Sequence, residues 1–283
     1  MKLASFREDN RESYGAVIGA NIVDLGRALG GRYRDLRSLI AEGGLPAAAQ
    51  IVHATPADIP ACDVGWRPVI PNPDKIICVG LNYKAHIREV GRKIEDQPVL
   101  FLRLPSSHVG HLQPIVRPKV SEQFDYEGEL AVIIGRDGRH IPAGRAFDHV
   151  AGYSIYNDGS VRDWQRHTHQ YTPGKNFLAS GAFGPWMATA DEIPHPAELR
   201  LTTRLNAEIV QDAYVSDLLF TIDQLIAYAS TFTPLVAGDV IVTGTPSGVG
   251  AARKPPLWMR PGDVVEVSVD VIGTLRNPVV QES

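Results

Sequence analysis

The sequence predicts an α+β fold that is mainly β, with a small N-terminal α/β domain over residues 1–70 and a larger, β-rich domain over residues 71–283. Three observations predict it. Short apolar runs of strand length recur from Lys75 to the C-terminus, separated by glycine and proline. The regular strand–helix alternation of a doubly wound sheet or a TIM barrel is missing. Pro56, Pro60, Pro68, Pro71 and Pro73 punctuate a stretch of little periodicity that reads as a linker between the two parts.

Taken in order, residues 2–6 alternate as a short strand, and residues 14–18 and 21–24 form a hairpin around Gly19-Ala20. Two short helices follow over 25–29 and 33–41, the second closed by Gly43-Gly44. Beyond the linker, strands are expected over 76–79, 99–102, 129–134, 149–155, 199–205, 240–243 and 264–269. One clear helix, over 222–231, stops before Pro234.

With 283 residues, 44% of them hydrophobic and 21% charged, the chain has ample material for a full core. A net charge of −4 without a basic block gives no electrostatic support to a nucleic-acid partner, yet leaves small anions open as ligands. The chain has two cysteines, Cys62 and Cys78; no Cys-x-x-Cys pair exists, and both are expected to be reduced. Residues 1–10 carry charges and no apolar core, so they do not read as a secretory signal. No apolar run approaches the roughly 18–20 residues of a membrane span. These readings together lead to the expectation of a cytoplasmic protein with no membrane partner.

Five segments carry chemistry. Glu127 and Glu129, in Phe124-Asp125-Tyr126-Glu127-Gly128-Glu129-Leu130, stand two apart at the start of an apolar strand, so both point to one face. Paired carboxylates repel, and a hard cation with oxygen ligands removes the repulsion; Glu-x-Glu by itself also describes a solvated strand end. Asp158 lies at a strand end in Asn157-Asp158-Gly159, where it offers a third carboxylate or simply a turn. Arg162 and Gln165 share its face if a helix begins after it. His86 and Glu89, three apart in Asn82-Tyr83-Lys84-Ala85-His86-Ile87-Arg88-Glu89, place a carboxylate where it can hold an imidazole in one tautomer, or make a casual surface contact. Gly174-Lys175-Asn176-Phe177 supplies a lysine. Thr243-Gly244-Thr245-Pro246-Ser247-Gly248-Val249-Gly250 lacks the Gly-Lys-Ser/Thr ending of a nucleotide loop, and its backbone N–H groups and the Thr245 hydroxyl suit a carboxylate instead.

In this order and spacing, Asn-Tyr-x-x-His-x-x-Glu, Tyr-Glu-x-Glu-Leu, Asn-Asp-x-Ser-x-Arg-Asp-x-Gln, Gly-Lys-x-Phe and Gly-Thr-Pro-x-Gly-Val-Gly resemble the fumarylacetoacetate hydrolase superfamily, in its two-domain bacterial form, from about Lys75 onward. The resemblance implies a mixed β-sandwich roll as catalytic domain and a homodimer. It implies a divalent cation, Mg²⁺ or alternatively Mn²⁺ or Ca²⁺, held by Glu127, Glu129 and Asp158. It makes His86, Glu89 and Lys175 catalytic, and Arg162, Gln165, Lys175 and Thr245 substrate-binding. One departure is Arg103, in Phe101-Leu102-Arg103-Leu104-Pro105-Ser106, where the family commonly has lysine; a planar fork replaces a point charge. His167 and His169 are assigned to the pocket wall or surface, because an all-oxygen site suits a hard cation better than imidazole does.

What the resemblance implies for function is a small 2-oxo acid as substrate. The first expectation is hydrolysis of a C–C bond in an acylpyruvate-like 2,4-dioxo acid of the fumarylpyruvate, maleylpyruvate or fumarylacetoacetate type, with water activated by His86. Decarboxylation of an oxaloacetate-type acid, or isomerisation or hydration of a hydroxymuconate-type diacid, uses the same enolate and stands as the alternative. An oxo-acid binding protein without activity is the non-enzymatic alternative, and it has no need of His86 and Lys175 together.

Overall fold

The computed structural model describes residues 1–283. Its centre is a twelve-stranded mixed sheet. The main path runs Ile59–Pro60, Asn21–Asp24, Arg11–Ile18, Lys2–Glu8, Gly181–Thr189, Val150–Asn157, Gly128–Ile134, Val240–Val242, Ile76–Gly80 and Val99–Leu102. A second sheet of five strands, in the order Glu208–Tyr214, Arg200–Leu205, Val264–Val269, Gly273–Gln281 and Ile115–Arg117, packs across the first. The result is a small N-terminal α/β subdomain and a larger mixed β domain of sandwich-roll form, as the sequence predicts.

Burial explains the pattern. The Gly128–Ile134 strand is buried along its whole length, which is why it reads as a continuous apolar run rather than an alternation. Leu130, Val132 and Ile134 face one hydrophobic core with Leu201, Val265 and Val267 of the second sheet. Ala131 and Ile133, on the opposite face, share another core with Leu3, Tyr14, Leu36 and Leu39 of the N-terminal subdomain. The Ile222–Phe232 helix starts at a capping box between Thr221 and Gln224 and buries Leu225, Ile226 and Ala229.

Differences from the sequence reading have local causes. The Leu45–Ala54 helix is absent from that reading; Pro46 falls in its first turn, where a missing N–H costs nothing, and an alanine run follows. The nine-residue strand Gly181–Thr189 is hidden by Gly181, Gly184 and Pro185. The expected linker carries two short strands, Ile59–Pro60 and Gly65–Trp66. Both cysteines are free, Cys62 exposed and Cys78 buried. No helix is long and apolar enough to cross a membrane.

Candidate metal centre and substrate cleft

The site forms where the central sheet frays. Gly128 pairs with Asn157 and Glu129 with Tyr156, so the start of one strand meets the end of its neighbour. The Asp158 N–H continues the ladder onto the Glu127 carbonyl at 2.8 Å. Gly128 is required here, because a Cβ would sit 2.1 Å from Thr203 Oγ1 of the second sheet. One oxygen from each of Glu127, Glu129 and Asp158 lies within 4.8 Å of the others, and all three residues are buried. The cluster forms the floor of a cleft of about 640 Å³.

The electrostatics of the floor are unequal. Burial works to raise the Glu127 carboxyl, but Arg162 and Lys175 overcome it and hold the group below the usual range. Burial and the charges of Asp158 and Glu127 push Glu129 well above that range; its one hydrogen bond shown is from the Gly244 N–H, at 2.6 Å, and Gly244 reaches it with φ +103°, where L side chains are strained. Lys175 Nζ bridges Glu127 and Asp158 at 2.5 and 2.6 Å. Burial disfavours its charge, yet the two carboxylates win and raise it. Three buried oxygen donors, one of them short of counter-charge, fit a divalent hard cation. A tricarboxylate cluster able to chelate such a metal is therefore present.

Arg162 and Gln165 do lie on one helix, Arg162–Gln165, joined by a 2.9 Å bond from Arg162 Nη1 to Gln165 Oε1. Asp158 is not part of that helical face: Ser160–Val161 intervenes as a strand paired with Phe124–Asp125. The three still converge, because Arg162 Nη2 lies 2.7 Å from Glu127, in ion-pair contact. His86 and Glu89 share the Lys84–Glu89 helix. Glu89 sits 3.3 Å from His86 Nδ1 and also accepts the Gly248 N–H at 2.9 and 3.1 Å. The helix is thereby clasped to the glycine-rich loop, and His86 lines the cleft. Thr245 also lines it, with its hydroxyl donating to the Gly128 carbonyl at 3.0 Å. His167 and His169 are exposed on the cleft wall.

Several supporting residues escape the sequence reading. Asp125 is fully buried and accepts from Arg162 Nε and from the N–H groups of Tyr126, Gly250 and Ala251. The signal was available: Asp125, Glu127 and Glu129 continue one i, i+2 series. Gln211 donates to Thr245 Oγ1 at 2.8 Å and accepts the Gly128 N–H at 2.9 Å; nothing in its surroundings marks it. Arg103 lies behind the cleft rather than in it. Its guanidinium makes five hydrogen bonds, to Ser107 Oγ and O, Ser180 Oγ, Gly159 O and Asp158 Oδ1, the last at 2.5 Å. A planar fork can fill that set and an ammonium cannot.

A β-rich roll with such a cluster at the end of its central sheet defines a class, the divalent-metal-dependent enzymes of this architecture. The fumarylacetoacetate (FAA) hydrolase C-terminal family matches residues 75–280. The chain belongs to the fumarylacetoacetate hydrolase family. It is 38% identical over 267 residues to an oxaloacetate tautomerase, mitochondrial, of Xenopus laevis, covering 93% of this chain and 83% of that one. Among solved structures it resembles maleylpyruvate hydrolase from Sphingobium sp. SYK-6 in complex with manganese(II) and pyruvate, with TM-score 0.84, 32% identity and 100% of both chains covered. It also resembles 5-carboxymethyl-2-hydroxymuconate delta-isomerase from Mycobacterium smegmatis, with TM-score 0.79, 32% identity and the same coverage. The expected cytoplasmic location is overturned by these relatives, since the frog protein and its human and rat counterparts are mitochondrial by name.

Proposed function

We propose that the protein is a metal-dependent tautomerase of a 2-oxo acid of the oxaloacetate type, moving a proton between C3 and the 2-oxo oxygen. This exchanges the order of the expectations drawn from sequence, in which C–C hydrolysis stood first. The observation that carries it is the 38% identity, across 93% of the chain, with an oxaloacetate tautomerase. The geometry supports it: His86 and Lys175, a base and an acid, line one cleft beside the carboxylates, and a proton shift between carbon and oxygen needs both but no water.

A cation at Glu127, Glu129 and Asp158, with Mg²⁺ proposed and Mn²⁺ as its substitute, supplies Lewis-acid polarisation of the 2-oxo group. His86 takes the proton from C3, with Glu89 holding Nδ1 so that Nε2 is left for the substrate. Lys175 Nζ, kept charged by two carboxylates, holds or returns the proton at the 2-oxo oxygen. Arg162, Gln165 and Thr245 position the C1 carboxylate, the Thr245 hydroxyl turning its proton from the Gly128 carbonyl to do so. The working form is proposed to be a homodimer.

C–C hydrolysis of an acylpyruvate is the second reading, favoured by the likeness to maleylpyruvate hydrolase over the whole chain. Deuterium entry at C3 of oxaloacetate in D₂O, followed by NMR with Mg²⁺ or Mn²⁺, separates the two. Tautomerase activity accelerates exchange with no carbon–carbon cleavage. Exchange at the uncatalysed rate, together with rapid cleavage of an acylpyruvate, assigns the protein to hydrolysis instead.

A further inference from the structure

The cleft changes character from floor to rim. Its buried floor holds the only carboxylates that line it, those of Glu127, Glu129 and Asp158. Its exposed wall carries Arg92, Arg166, His167 and His169. The arginine ion pairs of the site are made by Arg103 and Arg162; Arg92 and Arg166 make none. Of the two acids three residues from Arg92, Glu89 is engaged by the Gly248 N–H and His86, and Glu95 is exposed and does not line the cleft. Two permanent cations therefore face the cleft with no carboxylate of the protein beside them on its wall.

The floor does not need them. It contains four carboxylates, counting Asp125 beneath it, against the three cations Arg103, Arg162 and Lys175. A dication brings that set to one positive charge, which a single substrate carboxylate matches. The rim cations are then left for a second anionic group. Space agrees: about 640 Å³ lies within the roughly 300–1,000 Å³ of pockets that enclose drug-sized ligands, far more than a four-carbon acid fills. His167 is itself steadied on the wall by Trp164, their ring centroids 4.7 Å apart.

We infer that Arg92 and Arg166 are specificity-determining residues that read a second carboxylate at the far end of the substrate, selecting 2-oxo dicarboxylic acids longer than four carbons over monoacids of equal length. The inference rests on the 2-oxo acid reading above and adds to it the far half of the substrate. Arginine suits the task because its fork binds a carboxylate through two parallel hydrogen bonds.

The test is calorimetric binding in the presence of Mn²⁺, with oxalate, 2-oxohexanoate and 2-oxoadipate as probes. The wild-type protein is expected to bind 2-oxoadipate about ten-fold or more tighter than 2-oxohexanoate. An Arg92→Gln/Arg166→Gln double variant is expected to lose that preference and to keep its oxalate affinity. Equal binding of the two six-carbon acids by wild type, a preference surviving in the double variant, or an equal loss for all three acids overturns the rim assignment alone. Failure of wild type to bind oxalate with metal present overturns the underlying 2-oxo acid reading as well.

Discussion

Asp125→Asn tests how much the site depends on a residue that need not touch the substrate. The Asp125 carboxylate is fully buried and accepts four hydrogen bonds, from Tyr126 N at 2.9 Å and Gly250 N at 2.8 Å on Oδ1, and from Ala251 N at 2.9 Å and Arg162 Nε at 2.8 Å on Oδ2. An amide keeps one oxygen and turns an NH₂ toward the two donors on the other. The charged bond to Arg162 is worth about 1.5–3 kcal/mol and the backbone bond about 1, with a further penalty of about 1–3 for a buried donor left unpaired. Arg162 retains Glu127 at 2.7 Å, so the cost of a fully orphaned charge does not apply. The expected loss is about 3.5–7 kcal/mol, a large share of a typical stability of roughly 5–15 kcal/mol. Equilibrium urea denaturation measures it, and the same substitution in an Arg162→Met background separates the ion pair from the backbone bonds. In that background Asp125→Asn should cost less by about 1.5–3 kcal/mol. A loss below about 1 kcal/mol, or an identical loss in both backgrounds, refutes the role of Asp125 as anchor of Arg162 and the Gly250–Ala251 loop.

Glu127→Ala, Glu129→Ala and Asp158→Ala should each abolish turnover and Mn²⁺ binding while leaving the far-ultraviolet circular dichroism unchanged; near-normal activity in any of them after chelation and metal replacement would count against a single shared site. His86→Ala should still bind oxalate with metal present but turn over about 10²–10⁴-fold more slowly, and a full rate, or loss of oxalate binding, would remove it as the base. Burial, helped by Arg276, pulls the His111 imidazole down to about 4, so the folded state favours the neutral ring. Its contribution to stability is complete above the unfolded value of about 6.5 and is lost as pH falls toward 4, because the unfolded chain takes up the proton first. His111→Gln should flatten that part of the urea-midpoint profile between pH 6.5 and 4, and superimposable profiles would disprove it.

The sequence was informative where one residue type had one physical use. Glu127 and Glu129 could be paired because strand alternation is rigid, and the fully buried Gly128–Ile134 strand declared itself by its unbroken apolar run. Asp158 required the family resemblance, since only the pairing of Gly128 with Asn157 brings the two segments together. Arg103 stood out only as a departure from the family's lysine; its five partners come from segments around Ser107, Asp158 and Ser180, a convergence that no local pattern encodes. Gln211 was invisible for the same reason, its three bonds reaching Gly128, Thr245 and Pro246. The Gly181–Thr189 strand was lost because its glycines and proline serve close packing rather than turns: a Cβ at Gly181 would meet Arg103 Nη2 at 2.8 Å.

The central sheet does not stop where the N-terminal subdomain does. Lys2–Glu8 pairs with Gly181–Thr189 through Lys2↔Ala188 and Leu3↔Met187, and Leu3, Tyr14, Leu36 and Leu39 share a core with Ala131, Ile133, Phe183 and Met187. The smaller part is thus the backing of the very strands whose ends carry the carboxylates. For anyone wishing to shorten this protein, the seam offers no place to cut: a fragment beginning near Lys75 would carry an oily, uncovered sheet face and an open strand edge, both invitations to aggregate. Grafting a new cleft onto this scaffold should therefore vary the loops around the site and leave the first 70 residues in place, since they form the other half of the wall on which the metal centre hangs.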